Sequence, residues 1–323
     1  MRAYLLPLLL SCGLVAGLAG QDPLLSAQEP AKGTGPTLTV VDHNGKEVKL
    51  QTWKFLVGTR RVSWMAPAAP KVDKKGEKTP AGVEVLEFRD DKSTTYKDGI
   101  LTLIPLTSLK KLEYDHEKKT VEVTYLATGE NGPEEMSLTG STRFIGINKL
   151  EVEAETDLGE LGKAAMKFQG GSSKGVHSLT FSTPKPVPAP TGRRAIIIGR
   201  DKEQTGHKIA DIQALYLAEK GREQLSSTLH FKTTVKIDLA KLEKLRNVPP
   251  ADAKTEWGPD YEVTLKDGKQ LTLTLLQKTN TKEGGAGVLK GLVGRVPAGY
   301  KLFPLHTIVE VRYAAAEVLF EER

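Results

Sequence analysis

The sequence has a single cysteine, Cys12, in 323 residues. It stands among the first twenty, so a chain shortened there carries none. Disulfides, thiolate metal sites and cysteine nucleophiles are then excluded together. Aromatic residues make up only 6% and hydrophobic residues 39%, so the expected core is lean and aliphatic. Six histidines, at 43, 116, 177, 207, 230 and 306, form no His-x-His or His-Glu-x-x-His pair. No metal site and no cofactor is read from such spacing. Charge of one sign is also scarce: 46 Lys and Arg stand against 40 Asp and Glu, a formal net charge of +6, with the signs mixed along most segments. That balance allows attraction to anionic polymers. Sparse aromatics that are not interleaved with arginine speak against nucleic acid as a partner.

Beyond the N-terminus no long apolar run occurs, and no transmembrane segment is expected. Residues 1–20 read as an export signal. Arg2 supplies the positive charge, Ala3–Leu18 is largely apolar, and Gly17-Leu18-Ala19 places small residues at a cleavage site. An exported location, periplasmic or extracellular, follows as an expectation. Leu9-Leu10-Ser11-Cys12-Gly13 resembles the lipobox of bacterial lipoproteins, which implies a lipid anchor at Cys12. The apolar stretch before it is short and carries Pro7, so Cys12 is read as discarded with the signal.

Composition then divides the chain. Residues 21–36 read as a disordered mature N-terminus, 37–182 as a first β domain, 183–192 (TPKPVPAPTG) as a stiff proline-rich connector and 193–323 as a second β domain. Within the domains the signals are those of strands and turns. In YEVTLKDGKQLTLTLL (261–276), a two-residue Asp-Gly loop would set apolar residues against polar ones. A three-residue loop, Lys266-Asp267-Gly268, pairs Val263 with Leu271 and Tyr261 with Leu273 and requires Gly268 in the left-handed region. The same test at LTVVDHNGKEVKL (38–50) pairs Val40 with Val48 and Leu38 with Leu50, with Gly45 in the equivalent role.

A nine-residue frame occurs three times: IPLTSLKKL (104–112), IDLAKLEKL (237–245) and FPLHTIVEV (303–311). Large apolar residues hold its first, third, sixth and ninth positions. The third-position residues are Leu106, Leu239 and Leu305. An alternating start followed by steps of three fits a strand, a 3₁₀ turn and a return to strand. A hairpin with a glycine turn, followed by strand–3₁₀–strand, resembles SH3-like and Sm-like small β-barrels. The resemblance implies an all-β fold of two duplicated small-barrel or sandwich units joined by the connector, and it implies no particular activity.

Motifs for chemistry are mostly missing. GSSKG (171–175) fits Gly-x-Ser-x-Gly around Ser173, but VHSLTF follows where a nucleophile elbow needs a helix, so a hairpin loop is expected. IIIGRDKEQTGHK (196–208) lacks phosphate-loop spacing. No catalytic residue is picked. The chain is read as a non-catalytic binding or structural module of the bacterial cell envelope, whose partner is a cell-wall polymer or another envelope protein. The first rival is a lectin-like module for glycans or acidic polymers, with Trp257 and Tyr261 as stacking platforms. The second is a hydrolase with a carboxylate or histidine site assembled only on folding.

Overall fold

The computed structural model describes residues 37–50, 53–57, 59–65, 82–89, 99–141, 149–155, 161–167, 176–201, 203–218, 222–250, 257–278 and 287–314. Residues 1–20, read above as an export signal, with Cys12 among them, and Ser173 lie outside them. The first described strands are β1 (Leu38–Asp42), β2 (Glu47–Leu50), β3 (Trp53–Val57), β4 (Thr59–Val62), β5 (Val83–Arg89) and β6 (Leu101–Pro105). They are followed by β7 (Leu109–Asp115), β8 (Thr120–Gly129), β9 (Gly132–Ser141), β10 (Lys149–Glu155), β11 (Leu161–Lys167) and β12 (Val176–Phe181). After the connector come β13 (Arg194–Gly199), β14 (Gly206–Leu217), β15 (Glu223–Ser226), β16 (Thr228–His230), β17 (Lys236–Asp238) and β18 (Leu242–Val248). The chain ends its described course with β19 (Asp260–Leu265), β20 (Gln270–Thr274), β21 (Val288–Val296), β22 (Gly299–Pro304) and β23 (Ile308–Tyr313). Among the described residues the only other regular elements are 3₁₀ turns, so the fold is all-β.

Both hairpins take the register that alternation demands. Val263 pairs with Leu271 and Tyr261 with Leu273, and Gly268 has φ +82°. Val40 pairs with Val48 and Leu38 with Leu50, and Gly45 has φ +79°. A one-residue slip in either hairpin would turn its apolar set to solvent.

All three nonapeptides form strand–3₁₀–strand, with turns at Leu106–Ser108, Leu239–Lys241 and Leu305–Thr307. Their apolar positions serve the core: Leu239 and Leu305 are buried, while Leu106 is half-buried against it. In two copies the last turn residue closes the element, as the Ser108 hydroxyl donates to Pro105 O (2.8 Å) and Thr307 to Pro304 O (2.7 Å). In the second copy the Asp238 carboxylate instead accepts from Ala240 N at 2.9 Å. A short side-chain acceptor before a turn satisfies a backbone N–H that the turn leaves unpaired.

A second set of bonds ties the three turns to one stretch of chain. The middle carbonyl of the first, Thr107 O, accepts from Lys185 N at 2.7 Å. That of the second, Ala240 O, accepts from the Arg193 guanidinium, which also donates to Leu242 O. That of the third, His306 O, accepts from Arg200 Nε (3.2 Å), and Arg200 Nη2 donates to Ile308 O (3.1 Å). Arg193 and Arg200 thus sit at the two ends of β13 and grip equivalent carbonyl pairs. Arg200 Nη2 reaches further, to Oδ1 of buried Asn247 (2.8 Å), whose amide donates to Gly258 O and Asp260 O. The connector and β13 therefore work as a clasp.

The principal sheet runs β20-β19-β18-β23-β13-β14-β21-β22-β6-β5-β4. A second runs β2-β1-β12-β7-β8-β9, and a third β11-β10-β3. The principal sheet crosses from residues before the connector to residues after it where Tyr300 pairs with Leu103 and Leu302 with Leu101. At this seam Trp64 meets Tyr300 edge-on (5.2 Å, 82°) and donates to Glu223 at 3.0 Å. Arg60 bridges Glu223 (2.8 Å) and Glu87 (2.5 Å). Ile100 belongs to the core of the later strands, and Ala298 to that of the earlier ones.

Candidate functional site

Alternation on β13 turns Ala195 and Ile197 inward and leaves Arg194, Ile196 and Ile198 on the outer face. Register then gathers cations on that face. Arg194 stands opposite Ala210 of β14, and Ala210 stands opposite Arg295 of β21. The two arginines flank one methyl group, their backbones about 10 Å apart at two strand spacings. Lys208, two residues before Ala210, stands opposite Ile196. Together they line a cleft of about 200 Å³, floored by Ala195, Ile209 and Ala210 and rimmed by Pro190 and Pro297. Among the described residues no carboxylate and no side-chain acceptor lines it.

The cleft owes its shape to the clasp. Arg295 Nη1 donates to Thr191 Oγ1 at 2.9 Å and Nη2 to Pro188 O at 3.4 Å, both acceptors lying in the connector. These bonds fix the guanidinium plane while leaving three of its five N–H donors for other partners. The nearest acid in sequence, Asp211, sits in a bulge at φ +51°, with its side chain against Gly192. Its carboxylate accepts from Gln213 at 3.4 Å.

The positive face extends outward from the cleft. Lys244, Arg312, Ile196 and Lys208 form one cross-strand row over β18, β23, β13 and β14. In the next row Glu310, its side chain only 8% exposed, accepts from Lys244 Nζ (3.0 Å) and from Arg312 Nη2 (2.5 Å). Burial alone would raise its pKa, but these two cations outweigh burial and hold the carboxyl below its ordinary value. Glu262 stands 3.8 Å from Arg246. Glu310 and Glu262 are thus engaged with Lys244, Arg312 and Arg246.

The residues singled out from sequence are placed differently. Tyr261 is 1% exposed and cannot stack a ligand, which corrects its reading as a platform. The cause is the hairpin register itself, which puts Tyr261 on the inner face with Val263. Trp257 is half-buried against the same core and donates to the Tyr261 hydroxyl at 3.2 Å. Gly45 and Gly268 carry the left-handed turns expected of them, and a Cβ at either would meet nothing within 4 Å. His177 lies 3.5 Å from Glu113 on an exposed surface. β12 begins at Val176, directly after GSSKG (171–175), so a strand stands where the nucleophile elbow would need a helix. Among the described residues no three His, Cys, Asp or Glu side chains converge as metal ligands, and no helix is long and apolar enough to cross a membrane.

Arg194, Lys208 and Arg295 belong to no motif. Only the pairing of β13, β14 and β21 brings them together, and a linear reading carries no signal for that. Comparison with known proteins adds no relative: no family model, no curated protein and no solved structure matches the chain.

Proposed function

We propose that the protein is a non-catalytic binding module, exported to the cell envelope, that holds an anionic polymer against the outer face of β13, β14 and β21. The observation that carries this reading is the cleft lined by Arg194, Lys208 and Arg295, with no carboxylate among the described residues of its walls. Guanidinium forks present fixed donors that match acidic oxygens. The surrounding positive row would attract a polyanion over a distance of about a Debye length, 8–10 Å near physiological salt. Of the readings open to the sequence, binding of an acidic polymer is the one this geometry favours. A glycan recognised by ring stacking would need an exposed aromatic platform, and Tyr261 does not provide one.

The architectural part of the proposal is a small SH3-like barrel built from β13, β14, β21, β22 and β23. The hydrogen-bonded order β23-β13-β14-β21-β22 has consecutive strands at its two ends, and the turn Leu305–Thr307 joins them. Such a sheet must curl until its ends meet. Three equivalent strand–3₁₀–strand segments support descent by internal duplication.

The test is co-sedimentation of the purified chain with isolated cell-wall material and with a defined anionic polysaccharide across a salt series. Retention that fades as salt rises from about 0.05 to 0.5 M is expected, because exposed charges more than a Debye length apart are then screened. Absence of retention at every salt concentration would refute the reading.

A further inference from the structure

We infer that the charged unit seated in the Arg194–Lys208–Arg295 cleft is a phosphate ester, an inference that rests on the polymer-binding reading above and gives it a ligand class. The cleft's charged lining consists entirely of donors: two guanidiniums and one ammonium. A sugar hydroxyl is both donor and acceptor, and a polyhydroxylated ring in this cleft would find no side-chain acceptor for its protons. A phosphate ester offers oxygens that only accept, matching the lining. A carboxylate also only accepts, but it carries one charge and is satisfied by a single arginine fork. Two guanidinium forks flanking one buried methyl group offer more donors than a carboxylate's two oxygens take up and suit a group with more oxygens. Phosphate monoesters carry between about −1.5 and −2 at neutral pH with three acceptor oxygens.

Geometry agrees. Ala210 is 4% exposed and small, so it leaves a depression between the two arginines. Arg295 is already oriented by Thr191 and Pro188, so it loses little freedom when the anion arrives. Ala210 and the rim prolines offer apolar contact to the short carbon linkage beside the phosphate. The space of about 200 Å³ takes one such unit and no extended oligosaccharide.

The experiment is ³¹P NMR titration of the full chain with glycerol phosphate and with a glycerol phosphodiester, beside displacement from cell-wall material by each. Sodium glucuronate at equal ionic strength serves as the carboxylate control. Line broadening by a phosphate ester, with displacement well beyond that of glucuronate, is the expected result. Arg295→Lys keeps the charge and removes the fork, and it should weaken phosphate binding by about tenfold, the loss of one charge-assisted bond pair. Arg194→Gln should do the same, with an unchanged melting temperature as the check on folding. Preference for the monoester is expected from its charge and three oxygens and would place the site at a polymer end or on free phosphate; preference for the diester, which carries a single charge as a carboxylate does, would overturn that argument. Equal displacement by glucuronate, or Arg295→Lys binding phosphate as the wild type does, would overturn the inference while salt-sensitive polymer retention stood. Loss of retention in every arm would instead overturn the polymer reading itself.

Discussion

Replacing Arg200 by methionine keeps an unbranched stem and removes the guanidinium that grips the third 3₁₀ turn. At least three side-chain bonds disappear, those to His306 O (3.2 Å), Ile308 O (3.1 Å) and Asn247 Oδ1 (2.8 Å). Hydrogen bonds from a charged donor contribute about 1.5–3 kcal/mol each when buried. Arg200 is only half-buried, so water can reach part of this set and the sum must be cut. Asn247, 3% exposed, still donates to Gly258 O and Asp260 O but loses the shorter of the two bonds to its Oδ1, keeping the one from Gly258 N at 3.4 Å. The expected cost is about 2–4 kcal/mol. With a urea slope of about 3 kcal/mol per molar for a chain of this size, the midpoint should fall by about 1 M. Tryptophan fluorescence and far-UV circular dichroism would follow the transition. Arg200→Lys should recover less than half of the loss, because an ammonium cannot span two carbonyls and an amide as a fork does. A methionine variant within about 0.5 kcal/mol of wild type, the range of an ordinary surface change, would refute the clasp.

Other expectations follow from single positions. Gly268→Ala should cost only the left-handed strain, about 1–2 kcal/mol, since its Cβ meets nothing. Gly291→Ala should cost more than about 3 kcal/mol or fail to fold, since its Cβ would lie 2.1 Å from Phe303 O; thermal melts of the pair decide. Leu239→Asp should unfold the chain where half-buried Leu106→Asp leaves a folded, weakened one, as read by circular dichroism. Glu310, held below its ordinary pKa in the fold despite burial, contributes stability that is fully present above its unfolded value and is lost as pH falls through the folded one. Glu310→Gln should therefore flatten the acid limb of the stability profile below about pH 4.5 and remove little of its slope above it.

Local features were legible in the sequence wherever local pattern decides them. Asp-Gly and Asn-Gly loops flanked by alternation fixed two registers down to the residue, because apolar residues have one way to face each other. The nonapeptide declared its 3₁₀ turn by changing from steps of two to steps of three. Tyr261 shows how such a signal can be present and go unused: the register that pairs it with Leu273 already places it inside. What stayed hidden depends on distant pairing. Arg194 and Arg295 lie 101 positions apart in sequence and meet only because both flank Ala210. The connector offered prolines to the eye. Its part in orienting Arg295 and in binding Thr107 O rests on backbone and hydroxyl groups that composition does not reveal.

The most direct test of the central claim is retention on cell-wall material by the triple variant Arg194→Gln, Lys208→Gln, Arg295→Gln at about 0.05 M salt, where surface charge is least screened. The account predicts a folded protein with a melting temperature near that of the wild type and retention reduced to background. Retention equal to that of the wild type would show that the cleft is not where the polymer binds.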